Sequence, residues 1–166
     1  MEPGDRSRPT VVLVEGESDR IALLTLATRM GIRMPEVRVV GGSKGARRVA
    51  AELDGSRLIG LVDRGERRDF EGVLGTVFVC DPDLEAEFVR ALGIEGVEAV
   101  IEEQGELASF RSLQRQPFQR DRPAEAQLAR FFGGRSGNKA RYAGLLAEAV
   151  PLSHVPPPLA ALLAAV

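Results

Sequence analysis

Apolar residues along this chain fall into two patterns. Thr10-Val11-Val12-Leu13-Val14 is a short, almost unbroken apolar run, the pattern of a strand buried on both faces. Glu15-Gly16 ends it. Glu17 or Ser18 then opens a predicted helix to about Met30, with Leu23, Leu24, Leu26 and Ala27 on its apolar side and Gly31 as its stop. A second strand is predicted over residues 37–40, followed by the glycine turn Gly41-Gly42-Ser43-Lys44-Gly45 and a helix to about Leu53, closed by Asp54-Gly55. The third strand, 58–62, stops at Asp63, and residues 64–72 read as a charged loop. A fourth strand over 76–80 leads into Asp81-Pro82-Asp83, which starts a helix to about Leu92. The order βαβαββα calls for an α/β fold with a mostly parallel four-stranded sheet flanked by helices.

From about Glu95 the rhythm is helical only, broken at Gly105, Pro117, Pro123 and Gly133-Gly134. After the stiff Pro156-Pro157-Pro158, residues 159–166 form a short apolar helix expected to pack back on the body. The predicted organisation is a disordered lead over 1–9, an α/β core over 10–94 and a helical C-terminal extension over 95–166 packed on that core. A chain of 166 residues can bury such a core without staples.

Charge sharpens this division. Residues 1–110 hold 14 Lys/Arg against 21 Asp/Glu, whereas residues 111–141 hold 8 against 2. An acidic body with a basic strip suits a metal site beside a phosphate-binding surface; a solvated arginine-rich helical face gives the same pattern. Cys80 is the single cysteine, so neither an internal disulfide nor a zinc cluster can form. The polar start MEPGDRSRP is unlike a signal peptide, and the apolar runs fall far short of the roughly 20 residues that span a bilayer. A cytoplasmic protein with no membrane partner is expected.

The candidate chemistry lies in carboxylates at strand ends. Glu15 and Asp19 flank the first strand-to-helix turn, Asp63 ends the third strand, and Asp81, Asp83 and Glu85 follow the fourth. Ligands of an open parallel sheet bind outside the carboxyl ends of its strands, so these acids should converge. Crowded carboxylates repel and raise one another's pKa, and a hard cation such as Mg²⁺ or Mn²⁺ relieves them. Taken one at a time, the acids also read as helix caps or exposed surface. His154, among Leu152, Val155 and prolines, and Cys80, at the end of a buried strand, are expected to be structural.

The ordered set of motifs resembles a known family. Val11-Val12-Leu13-Val14-Glu15-Gly16-Glu17-Ser18-Asp19 looks like the first motif of TOPRIM domains, the metal-binding fold shared by primases, topoisomerases, RNA maturases and OLD-type (overcoming lysogenization defect) nucleases. The OLD branch is the most similar. Gly41-Gly42-Ser43-Lys44 resembles its loop after the second strand, residues 58–63 its aspartate-bearing strand, Asp83-Leu84-Glu85 its later acidic motif, and Lys139-Ala140-Arg141-Tyr142-Ala143 its lysine segment. The resemblance covers about residues 10–150. It implies a Mg²⁺- or Mn²⁺-dependent nuclease hydrolysing DNA, with Glu15, Asp19, Asp63 and Glu85 as metal ligands. Glu15 and Lys139 would be catalytic, and Arg111, Arg115, Arg122, Arg135 and Arg141 would hold the nucleic-acid backbone. DNA repair or phage defence would be the setting.

Two departures stand out. The family has Asp-x-Asp at the third strand, and here the sequence reads Asp63-Arg64-Gly65, so the second acid is missing unless Glu66 or Asp69 supplies it. Family members carry an ATPase domain ahead of the TOPRIM, and this chain has no Walker A pattern, so an ATPase would be a separate partner. Besides the DNA nuclease, the residues allow a catalytically weak module binding nucleic acid or an ATPase, an RNA-processing enzyme, or a CheY-like doubly wound domain.

Overall fold

The computed structural model describes residues 8–166; residues 1–7, most of the predicted disordered lead, lie outside the described residues. Four strands form one sheet: β1 (Thr10–Val14), β2 (Glu36–Val39), β3 (Arg57–Asp63) and β4 (Thr76–Cys80), in the order β2-β1-β3-β4. Every pairing is parallel, with Val14 opposite Val39 and Leu61, and Asp63 opposite Cys80. The sheet is therefore wholly parallel. All four strands end at the same edge, and at that edge the chain places its acids.

Side-chain alternation sorts the sheet into two buried faces. Val12, Val14, Ile59, Leu61 and Cys80 point to one side, where α1 (Glu17–Met30), α4 (Leu84–Glu103), α7 (Asn138–Ala149) and α8 (Pro157–Ala165) build the larger core. Val11, Leu13 and Val62 point to the other, against Ala46 and Val49 of α2 (Ser43–Glu52) and Phe70 of α3 (Arg67–Glu71). Helix α8 packs on β4, β3 and α1. Leu159, Leu162 and Leu163 are buried there, each stabilising the fold by about 1.5–3 kcal/mol.

Two boundaries differ from the pattern reading. Residues 64–72 are a 3-10 turn, Arg64–Glu66, followed by the short helix α3. Phe70, 0% exposed, anchors that segment to the sheet and makes it helical despite its charged neighbours. The helix expected to end near Leu92 leaves helical geometry at Gly93 (φ 75°, ψ 161°) and resumes to Glu103. The remaining helices are α5 (Leu107–Gln114) and α6 (Ala124–Phe132), between α4 and α7, and a 3-10 turn, Leu152–His154, links α7 to α8. His154 is exposed, with Nδ1 2.9 Å from Ser153 Oγ. Among the described residues, no helix is long and apolar enough to cross a membrane.

Close approach fixes the β2–α2 turn. A Cβ on Gly45 would lie 1.9 Å from the Val40 carbonyl oxygen, so α2 can start this near the strand only with glycine there. The turn is stitched to β1 by Val40 N–H to Val14 O (2.9 Å) and Gly41 N–H to Glu15 O (2.9 Å). Those bonds hold Gly41 beside the end of β1, where the acids begin.

Candidate metal centre

A cleft of about 240 Å³ opens at the carboxyl edge of the sheet, lined by Glu15, Gly16, Ser18, Asp19, Gly41, Asp63, Leu84, Glu85 and Lys139. Each side chain arrives there for a local reason. Glu15 follows β1 directly. Asp19 stands in the first turn of α1, where its Oδ2 accepts the Gly16 backbone N–H at 2.9 Å. Asp63 ends β3. Glu85 is in the first turn of α4, whose N-cap Asp83 accepts from Ala86 N–H at 2.8 Å. Both α1 and α4 present N-termini to the cleft, and the positive ends of their dipoles favour carboxylates there. Lys139 comes from α7, which packs along α1; a Cβ on Gly144 would lie 3.1 Å from Ile21 Cγ2, so glycine keeps the two helices close.

The acids crowd one another. Burial first, then Asp19, Glu15, Glu85 and Asp83, push the Asp63 carboxyl up to about 7. Asp19, 8% exposed, is pushed up to about 6, mainly by burial and then by Glu85 and Glu15, against the lowering bond from Gly16. Glu15 is raised by burial and by the carboxylate of Glu66, with Lys139 opposing. Lys139 Nζ stands 3.3 Å from Glu85 Oε1. Burial disfavours its ammonium, but Glu85, Asp83 and Asp63 outweigh that and hold its pKa above the ordinary lysine value.

The structure therefore brings Glu15, Asp19, Asp63, Glu85 and Lys139 together. It also brings Glu66 within electrostatic reach of Glu15, while Asp69 is exposed on α3. Asp81 is turned away, paired with Arg64 at 2.6 Å. Among the described residues, no three acidic, histidine or cysteine side chains stand around one ion-sized point. The donor set is nonetheless all carboxylate oxygen, and its members destabilise one another's ionised forms, so its chemistry fits a hard divalent cation.

The five arginines lie apart from this cleft's lining. Arg111 forks onto Glu98 (2.8 and 2.6 Å) and Arg141 donates to Glu106 (2.6 Å) and Gln104 (3.1 Å). Arg115 meets Ser112 Oγ at 3.3 Å and Arg122 meets Gln119 Oε1 at 3.2 Å. Arg135 is 4.0 Å from Glu106 and mostly exposed. Arg130 and Arg135, with Ser109, Ser112, Gln116 and Asn138, line a second, polar cleft of about 270 Å³. Its Asn138 immediately precedes Lys139. Glu106 organises the strip by accepting from Arg141 and from Tyr142 (2.8 Å), which hold its carboxyl below the usual range. Pattern reading passed over Glu106 and Arg130, because a lone acid before a helix and an arginine within one carry no spacing signal.

No protein-family model and no curated protein matches this sequence. Solved structures do match its shape. The C-terminal region of the Xanthomonas campestris pv. campestris OLD protein, phased with platinum, superposes with a TM-score of 0.68 at 24% identity, over 95% of this chain and 91% of that one. The iodine-phased structure of the same region gives 0.64 at 23% identity, over 95% and 93%. The C-terminal region of the Burkholderia pseudomallei OLD protein gives 0.67 at 18% identity, over 93% and 95%. The fold is that of OLD C-terminal regions, the TOPRIM-type α/β fold.

Proposed function

We propose that this chain, built on the TOPRIM fold of OLD C-terminal regions, is a divalent-metal-dependent nuclease that hydrolyses phosphodiester bonds in DNA. One observation supports it above the rest: four carboxylates from two strand ends and two helix N-termini line a single cleft with one lysine. Glu15, Asp19, Asp63 and Glu85 would hold Mg²⁺ or Mn²⁺. Bound cations would supply charge neutralisation at the scissile phosphate and a water nucleophile acidified for attack.

The remaining roles belong to the side chains. Glu15, raised by burial and by Glu66, is suited to hold a proton of the attacking water. The Lys139 ammonium faces the negative charge that accumulates on the phosphate oxygens. The acidic cleft repels a nucleic-acid backbone until its carboxylates are neutralised, so the arginine strip has to carry binding. Arg111 and Arg141 are held by Glu98 and Glu106, whose side chains are only 20% and 17% exposed, so Arg115, Arg122 and Arg135 are the freer of the five to meet phosphates.

A second reading is a nucleic-acid-binding module with little or no cleavage. Gly65 favours it, standing where an acid would complete the set, and Glu66 is the residue placed to compensate. Plasmid nicking with Mg²⁺, Mn²⁺ or EDTA decides between them, with RNA substrates in parallel. Metal-dependent nicking that Glu15→Ala and Asp63→Ala each abolish is the expected result. Lys139→Met should lower the rate about 10²–10³-fold without weakening metal binding, since it also frees Glu85 from its ion pair. Nicking that survives Glu15→Ala places the chemistry elsewhere; binding without cleavage under every metal leaves the module.

A further inference from the structure

Between α5 and α6 the chain makes a compact turn that carries Phe118 at its tip. Phe118 is 90% exposed, about twice the exposure of any other large apolar side chain that reaches solvent among the described residues. Its support is rigid. Gln119 N–H and Arg120 N–H both donate to the Gln116 carbonyl (2.8 and 3.0 Å), and Arg122 N–H donates to the Gln119 carbonyl (2.9 Å). Gln127, 5% exposed, donates from Nε2 to the Gln119 carbonyl at 2.6 Å and accepts from Gln114 Nε2 at 3.0 Å. Gln119 is itself buried at 7%. A network of buried glutamines thus fixes the turn and holds an aromatic ring out in water.

The surroundings are cationic. Arg115, Arg120 and Arg122 flank Phe118, against the single acid Asp121. Arg120 takes part in no ion pair among the described residues. Gln116, at the base of the turn, also lines the polar cleft that holds Arg130, Arg135 and Asn138. Asn138 of that cleft directly precedes Lys139, which lines the carboxylate cleft. A protruding aromatic among arginines, on a preorganised support, has the chemistry of single-strand recognition: rings stack on bases and guanidinium groups neutralise the phosphates between them.

We propose that Phe118 is a stacking platform for an unpaired nucleobase, with Arg115, Arg120 and Arg122 on the adjoining phosphates, so that this turn grips a single-stranded segment of the substrate. This rests on the nucleic-acid reading above. It adds to that reading a preference for unpaired strands and a residue that contacts bases.

The chain contains no tryptophan, so Phe118→Trp introduces one indole as a reporter at an exposed position. In EDTA, and again in Ca²⁺, a short single-stranded oligonucleotide should quench its emission, whereas an abasic strand of equal charge should not. By anisotropy, Phe118→Ala should bind the ordinary strand on the order of tenfold more weakly and the abasic strand as wild type does, with an unchanged melting temperature. Phe118→Tyr should restore binding. The stacking role is overturned if the strand binds Phe118→Trp without any change in emission, or if Phe118→Ala binds as tightly as wild type. It is also overturned if Phe118→Ala instead dissociates a dimer in sedimentation, which would make the ring a contact between copies. Failure to bind any single strand in either condition overturns it as well, while metal-dependent plasmid nicking still decides the nuclease reading separately.

Discussion

At Asp63, burial and four neighbouring acids act in the same direction, and the carboxyl is pushed up to about 7; Asp19 follows at about 6. Both groups hold a proton more tightly in the folded chain than an ordinary carboxyl does. Their stabilising contribution is therefore fully present below about pH 4, the unperturbed range, and is lost as pH rises through about 6 and 7. In EDTA the melting temperature should fall between pH 5 and pH 8, and Asp63→Asn should flatten that fall; a flat wild-type profile would contradict the crowding. Gly65 offers a second test. Nothing lies within 4 Å of a Cβ built there, so Gly65→Asp has room to restore the missing acid. Nicking under Mg²⁺ should then accelerate, and an unchanged rate would mean that Glu66 already supplies the charge. The acids Glu15, Asp63 and Glu85 were legible because each follows the end of an apolar run. Lys139 was legible only through family resemblance, since its place beside Glu85 depends on α7 packing along α1. Phe118 gave no signal, because exposure is decided by tertiary structure.

Helices and strands were legible where the apolar period was strong and less so where one residue decides. The parallel sheet follows from four apolar runs separated by helices, and β1, α1 and β4 lie where the pattern puts them. Helix α3 was missed because its charged residues outnumber its one anchor, Phe70, whose burial against the sheet is a long-range fact. The turn into α2 makes the sharpest test at this scale. Gly45→Ala forces a methyl against the Val40 carbonyl oxygen, and the helix must shift off the strand. Overpacking of this kind costs about 1–3 kcal/mol or more, read as a lower melting temperature or denaturant midpoint. Gly65→Ala, in open space with φ outside the left-handed region, should change stability little.

Across the whole molecule, the acidic body and the basic strip remain distinct regions joined at the start of α7, where Asn138 faces the polar cleft and Lys139 the carboxylates. A cation bound among the acids should raise the melting temperature, since it binds the folded chain alone; at a hundredfold excess over Kd the gain is about 2.7 kcal/mol. The rise under Mn²⁺ or Mg²⁺ should be larger at pH 8 than at pH 5, because protons compete for the same oxygens. No rise with either metal in wild type, or a rise that survives undiminished in Glu15→Gln/Asp63→Asn, would remove the metal centre as drawn. Helix α8 has a different consequence, one of timing. Leu159, Leu162 and Leu163 close a sheet face whose strands are all complete by Cys80. On the ribosome, the strands emerge long before the helix that covers them. Through that interval the nascent chain shows Ile59, Leu61 and their neighbours to solvent, a surface that invites holdase chaperones or mispairing with other nascent chains. Slow translation of the segment between α4 and α8 would lengthen this exposure, and yield of folded protein should then depend on codon choice in a stretch remote from the carboxylates.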